Sequence, residues 1–395
     1  MGRNVVYQPI LNFTKYCMIA AGIWPLPLST ENALLLKLYS TYSTFVQIFL
    51  PLFLSSLCIQ FVVAVTDTYS DNDPDKLFKH VSYIITMGSV EVVVIICQKE
   101  KFKGVVSFIV EEEKEIVRSE DNEILKFHRF QVKLCRASNW AVFIFTFGVA
   151  ISMTIENFLQ RAEIEEYNKA HGEEMEKPLP YELYYFGLNK NDHQTLLLVM
   201  ISIANIMIDL LVASTKMIFI SCIIFVPSTL KKLQIKFKKI EFREGNLFVN
   251  VGNLAFEHQH VIDFVENLND LIKYVILLEY LLNSLNLAAV SIQFMTNQQL
   301  SPIFYFSFLI IQTFVLGWSA NEIKIQSEAL AHALYESSWY NQNDAIKKML
   351  LTMILRAQKP LVLTTGPFDA MTTESALRVM KASYSYVTLM MNKYE

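Results

Sequence analysis

The sequence predicts an all-α, seven-transmembrane helical membrane protein. Its N-terminus lies inside and its C-terminus outside, and its fourth to sixth helices extend into a cytoplasmic anchor bundle. Three observations predict this: long apolar blocks, an alternation of basic and non-basic connections between them, and charged amphipathic stretches that run on from the later blocks. The 395 residues are 53% hydrophobic and 18% charged; a soluble chain carries about 45–50% and about 25%. Residues 45–65 hold no charge at all, and a helix needs about 20 apolar residues to cross a bilayer core. Comparable blocks lie at 81–97, 139–155, 196–226, 274–295 and 303–320. A seventh, weaker span is placed at 374–392.

Cytoplasmic connections are enriched in Lys and Arg. The connection 67–80 holds Lys76 and Lys79 against four aspartates, whereas 98–137 holds nine basic residues. The third, 156–190, holds four within an acidic stretch; the fourth, 227–262, holds Lys231, Lys232, Lys236, Lys238, Lys239 and Arg243. The fifth, 296–301, holds none, and the sixth, 321–365, holds five. Connections two, four and six are therefore inside. A G-protein-coupled receptor runs the opposite way, and its usual Asp-Arg-Tyr and Asn-Pro-x-x-Tyr motifs do not occur here. The sequon Asn12-Phe13-Thr14 falls on the cytoplasmic side, out of reach of glycosylation.

The stretch Glu111 to Glu115 reads as a solvated helix extending from the membrane. Acidic residues Glu257, Asp263, Glu266 and Asp270 cannot lie in lipid, so the fifth helix begins well below the bilayer. The charged stretch 322–357 is expected to continue the sixth helix inward. The acidic third connection, with Pro178 and Pro180, reads as an outer lid or vestibule. Residues 1–10 show no secretory signal, and Cys17, Cys58, Cys97, Cys135 and Cys222 all fall outside the extracellular segments, so no outer disulfide is expected.

No motif for phosphate binding, zinc hydrolysis or an activated serine is present. His258 and His260, two apart on a helix, point in different directions, so no metal site is expected. No cofactor and no nucleic-acid partner are implied. Ionisable residues inside spans are Glu91, Asp209, Lys216, Lys273 and Glu279. Polar contacts between helices are the ordinary use of such groups, Asp209 and Lys216 sharing one face.

The last span carries the most specific signal. Thr372 or Thr373 can cap a helix that rises about 28 Å from Glu374. Arg378, Lys381, Ser385, Thr388 and Asn392 fall 3, 4, 3 and 4 apart and form one polar stripe, opposite Val379, Met380, Val387 and Met391. Ser385-Tyr386, five residues, then Asn392-Lys393 occupy the register of a Thr-Tyr…Gln-Phe signature. Ser383 to Leu389 reads Ser-Tyr-Ser-Tyr-Val-Thr-Leu. Upstream stand Ala333 to Tyr340 (ALYESSWY), Leu355 to Pro360 (LRAQKP) and Thr364-Thr365-Gly366. Over about 330–392 these segments resemble the insect odorant receptor family; before that the resemblance is one of topology. A gustatory receptor of the same superfamily is the alternative reading.

The resemblance implies an odorant-gated cation channel of the plasma membrane in olfactory sensory dendrites, a heterotetramer with the odorant co-receptor. It implies a pocket for a small volatile among helices two, three, four and six: Tyr83 and Met87; Phe143, Phe147, Gly148, Ile151 and Ser152; Ile203 and Met207; Phe304, Tyr305 and Phe308. The last helix lines the pore with Ser385, Thr388, Leu389 and Asn392, the hydrophobic gate falling on Leu389. Residues 1–226 then form the ligand-pocket bundle, 227–365 the fifth and sixth helices with their anchor extensions, and 366–395 the pore helix.

Overall fold

In lipid the backbone must satisfy its own hydrogen bonds, so an apolar chain of this kind has the helix as its one open-chain solution. The computed structural model describes residues 9–27, 32–71, 74–119, 121–171, 194–240, 247–296, 301–337 and 339–394; the side chains at 64, 66–71, 74–83, 195, 247–249, 292–296 and 389–394 lie outside the description. Among the described residues the chain forms ten α-helices, one short 3-10 turn and a two-stranded hairpin. The helices are α1 (Asn12–Ala20), α2 (Ala33–Asp71), α3 (Pro74–Gln98), α4 (Glu100–Arg118), α5 (Asn122–His171), α6 (Gln194–Lys238), α7 (Leu247–Thr296), α8 (Ser301–Tyr335), α9 (Asp344–Ala357) and α10 (Thr373–Tyr394). Five of them, α2 and α5 to α8, are long and apolar enough to cross a membrane, and Ile84–Gln98 within α3 is a shorter apolar stretch.

A helix that is apolar all round belongs in the middle. That helix is α6, almost continuously buried from Leu211 to Phe237 and packed against α1, α3, α4, α5, α7 and α8. The outer helix α2 leans on α3 and leaves Leu34, Leu38, Phe45, Ile48, Leu52 and Val62 exposed, an apolar outer face suited to lipid.

Beyond the apolar blocks, α6 runs on to Lys238, α7 starts at Leu247 and α8 ends at Tyr335. These ends form a second core: Leu233 and Phe237, Val251, Leu330 and Leu334 pack with Ile346, Leu350 and Met353 of α9. The stretch 322–357 is not one continuous helix as expected. It breaks after Tyr335, and the Asn343 side chain accepts from the Ile346 amide at 3.0 Å to start α9. The third connection is also helical at first, α5 reaching His171; Pro178 and Pro180 lie outside the described residues.

Helix α4 departs from the solvated reading in one respect, since Glu113 is only 4% exposed. Its carboxylate accepts from the Ile10 amide at 2.7 Å and lies 3.3 Å from His128 Nε2. Helix α1, which the sequence did not announce, is seated by the same group of contacts. Asn139 Nδ2 donates to Thr14 Oγ1 and to Ser221 Oγ, both at 2.9 Å. Thr14 of the sequon is thereby fully buried.

Many basic residues that set the orientation are paired. Lys232 bonds Glu112 at 2.7 Å and Glu115 at 2.8 Å, Lys236 bonds Glu257 at 2.6 Å, and Lys239 pairs with Asp121. The hydrogen bond from Lys232 holds the Glu115 carboxyl below its ordinary range.

Candidate ligand pocket and pore helix

The candidate pocket is built where α5 meets α8. Gly148 has no side chain, and the Phe304 ring occupies the space a Cβ would need, 2.6 Å from Cδ1. The Glu156 carboxylate caps the start of α8, accepting from Ser301 N at 2.8 Å and Ser301 Oγ at 2.6 Å. Around this junction the rings of Phe143 and Phe147 stand 4.4 Å apart, Phe145 and Phe304 6.4 Å, and Tyr305 and Phe308 6.4 Å.

Of the candidate ligand residues, Met87, Ser152 and Phe308 are buried, at 8%, 4% and 6% exposure. Phe143, Phe147, Gly148, Met207, Phe304 and Tyr305 are half-buried. Ile151 and Ile203, by contrast, are 59% and 56% exposed and turn away from the chain's interior. The Tyr83 side chain lies outside the described residues. Ser152 Oγ is used by its own helix, donating to Gly148 O at 2.8 Å.

The inward face of α6 is a stripe of Leu197, Ile201, Asn205 and Ile208, spaced 4, 4 and 3, while Ile203 and Ile206 point out. Asn205 is therefore the polar residue that the sequence reading passed over, and Asn157 on α5 is its counterpart, the two 8% and 7% exposed. The signal was present: an amide in an apolar span is costly unless paired or functional. A cleft of about 660 Å³ elsewhere, between Pro25–Pro27 and Glu100–Ser107, includes none of the candidate pocket residues in its lining.

Deeper in the bundle, Lys216 Nζ of α6 bonds Glu279 Oε1 of α7 at 2.5 Å, and Gln312 Nε2 of α8 donates to Glu279 Oε2 at 3.0 Å. Asn283 Nδ2 donates to Thr313 Oγ1 at 3.1 Å one turn further along α7. Lys273 pairs instead with Asp270 at 2.8 Å. The rings of His258 and His260 diverge, His258 facing Phe237 and His260 facing Phe108. All five cysteines are free, Cys58 exposed and the other four buried.

Helix α10 begins with a reciprocal cap, Ser375 N donating to Thr372 Oγ1 at 3.3 Å and Thr372 N to Ser375 Oγ at 2.8 Å. Before it, Thr364–Thr365 pairs with Asp369–Ala370 around Gly366, whose φ of 59° suits glycine. The hairpin is tied to α7, Gly366 N donating to Lys273 O at 2.9 Å and Thr364 N to Asn269 Oδ1 at 2.7 Å. Helix α10 then packs on α7 and α8 through Ser375, Ala376, Val379 and Ser383. Gly317 of α8 permits this approach, since a Cβ there would stand 2.7 Å from that of Ala376. Arg378, Lys381, Ser385 and Thr388 are on the uncovered side, and the side chains of Leu389 and Asn392 lie outside the described residues. Arg378 is held by Asp369 and, at 3.4 Å, by Glu374.

Long apolar helices around one buried helix, with polar groups sequestered inside, define a mostly helical integral membrane protein whose last helix has one covered and one open face. A family model described as 7tm Odorant receptor matches residues 73–384. The chain is 34% identical over 189 residues to Odorant receptor 10 of Aedes albopictus, 45% of this chain and 49% of that protein. It is 32% identical over 154 residues to Odorant receptor Or2 of Anopheles gambiae, 38% of this chain and 41% of that one. The matched stretches thus span about half, or less, of these relatives' lengths. In fold it is similar to the insect olfactory receptor OR5 from Machilis hrabei in complex with eugenol, with a TM-score of 0.78 at 15% identity over 97% of each chain. A second structure of OR5 gives a TM-score of 0.73 over 96% and 97%. The chain belongs to the 7tm odorant receptor family, a family of ligand-gated receptors and not of enzymes.

Proposed function

We propose that this chain is the odorant-binding subunit of a heteromeric, ligand-gated, non-selective cation channel, assembled with an odorant co-receptor as a heterotetramer in the plasma membrane of olfactory sensory dendrites. A small volatile enters among α3, α5, α6 and α8, held by apolar contact. For a ligand of about ten heavy atoms such contact reaches micromolar affinity without an ion pair. Binding favours the open state by the difference in its affinity for open and closed forms. Outward movement of α10 then widens an apolar constriction at Leu389, and the wetted pore conducts. In this reading the chain runs with its N-terminus in the cytoplasm, seven spans and the α6 to α9 ends in a cytoplasmic anchor.

The observation that supports this reading most is the two-sided packing of α10. The side with Ser375, Ala376, Val379 and Ser383 is committed to α7 and α8, while Lys381, Ser385 and Thr388 are exposed on the other side, beside Arg378 in its pairing with Asp369 and Glu374. The test is to record currents across a panel of volatiles from cells expressing this chain alone and with a co-receptor. Current is expected from the pair and little from the chain alone. A full odorant response from the chain alone favours instead the self-sufficient gustatory-type pore.

A further inference from the structure

A buried carbonyl oxygen without a donor is costly, so such groups are partnered in most folded proteins. Among the described residues, Asn205 Oδ1 and Asn157 Oδ1 are fully enclosed and accept no hydrogen bond. Both sit on inward faces. Asn205 continues the buried stripe of Leu197, Ile201 and Ile208, so its side chain is directed into the bundle rather than to lipid.

The register of α5 against α6 fixes the depth of Asn205. Arg161 reaches Gln194 at 3.4 Å towards one end and His128 reaches Ser228 at 3.2 Å towards the other. Between these two pairings Asn205 falls level with Ala150 and Ile151 of α5, within one turn of Gly148 and the Phe304 ring that covers it. Asn157 stands further along α5 towards the acidic third connection, about 9 Å from that level at 1.5 Å per residue. On α5 nearby, Ser152 Oγ is already engaged, donating to Gly148 O at 2.8 Å. The amide is therefore a polar point on an aliphatic face of α6, with its acceptor buried and unpaired.

We propose that Asn205 is the specificity-determining residue of the ligand site and that the volatile it selects carries a hydroxyl group. This inference rests on the pocket reading above and narrows it to a chemical class. A hydroxyl donates to Oδ1 and can accept from Nδ2 of the same amide. An ether, ester or ketone of the same shape offers no donor and leaves Oδ1 buried and unpaired. A pocket that hydrogen-bonds a ligand hydroxyl rejects the analogue lacking it because its own buried polar group is then stranded.

The experiment uses the full chain co-expressed with a co-receptor and matched pairs of probes: primary aliphatic alcohols, benzyl alcohol and simple phenols, each beside its methyl ether. Alcohols and phenols are expected to be the stronger agonists, by roughly tenfold in half-maximal concentration, the Boltzmann factor of one ordinary hydrogen bond. In Asn205→Leu that preference should collapse to within about twofold, the ethers gaining or holding while the hydroxyl compounds weaken. Asn157→Leu should leave the preference in place. Ethers equal to alcohols on the wild-type channel, or an unchanged preference in Asn205→Leu, overturn the proposal while leaving the pocket in place. Loss of the preference in Asn157→Leu instead moves the site and overturns it as well. A heteromer present at the surface but silent to the whole panel overturns the pocket reading itself. Thermal stability of the ligand-free protein gives an independent measure: Asn205→Leu should raise the midpoint, because an unpaired amide is removed. A lowered midpoint shows that the amide has a protein or water partner and contradicts the proposal.

Discussion

The ring of Phe304 lies on the bare backbone of Gly148, filling the space where any other residue would place its Cβ. This contact joins α5 to α8 in the candidate pocket, so Gly148→Ala must push the ring aside. Overpacking of this kind costs typically about 1–3 kcal/mol. The variant is expected to reach the surface with an altered odorant dose–response, and Gly148→Ala with Phe304→Leu should move back towards wild type. Dose–response curves normalised to surface expression measure this; identical curves for Gly148→Ala and wild type would show that the contact does not shape the ligand site.

The Lys216–Glu279 pair is buried, its side chains 9% and 3% exposed. Removing one partner strands the other, a loss of about 3–5 kcal/mol in such sites, whereas replacing both by apolar groups is often neutral. Lys216→Met is therefore expected to lower surface yield and thermal midpoint sharply, leaving Glu279 with Gln312 as its remaining described partner. Lys216→Met combined with Glu279→Met should recover most of the loss. A double variant as poor as the single would point to a role for the charges themselves.

His258, on the charged N-terminal stretch of α7, is 4% exposed and faces Phe237. Burial first, then the Arg356 guanidinium, pushes its pKa down from 6.5 to about 4. The folded pKa is depressed, so its contribution is present above pH 6.5 and is lost progressively as pH falls towards 4. At pH 5.5 the loss is on the order of 1 kcal/mol. Thermal midpoints of the solubilised protein at pH 7.5 and 5.5 should differ less in His258→Leu than in wild type. Equal pH sensitivity in the two would assign it to other groups.

The uncovered side of α10 gives a prediction about resting current. Leu389→Ser should ease wetting of the constriction and raise basal current or odorant sensitivity. Val379 packs against the core, so Val379→Ser should reduce yield without opening the pore. Cysteines at Ser385, Leu389 and Asn392 should react with thiol reagents in open channels. Reaction at Val379→Cys with silence at those three would mean that the helix is rotated from this assignment.

Five of the seven expected spans were legible as long apolar helices because lipid tolerates few charges over about 20 residues, and that demand is written as composition. Which face of a span turns inward was not. In lipid both faces are apolar, and helix orientation comes from packing rather than from a hydrophobic contrast. Hence Ile203 was read as inward where Asn205 is. In the Phe143, Phe147, Ile151 series the third member turns outward, at 59% exposure, while the first two are half-buried. The interhelical use of Lys216 was foreseeable, whereas its partner Glu279, 63 residues on, was not. Helix α1 was missed because its nine residues are too short for a span, although Leu11, Cys17 and Met18 bury it beside Thr14. The polar stripe of α10 was legible because a single helix carries it whole.

The seating of α1 also sets an order of events during synthesis. Ile10 waits for Glu113, 103 residues later, and Thr14 for Ser221, 207 residues later. At roughly 5–20 residues per second a ribosome takes about 10–40 s to supply that second partner. The seat of α1 is thus assembled in stages, begun by Glu113 of α4 and Asn139 of α5 and completed only when α6 brings Ser221. Loss of the Thr14 hydroxyl, which meets both Asn139 and Ser221, is therefore expected to lower the fraction of chains that mature.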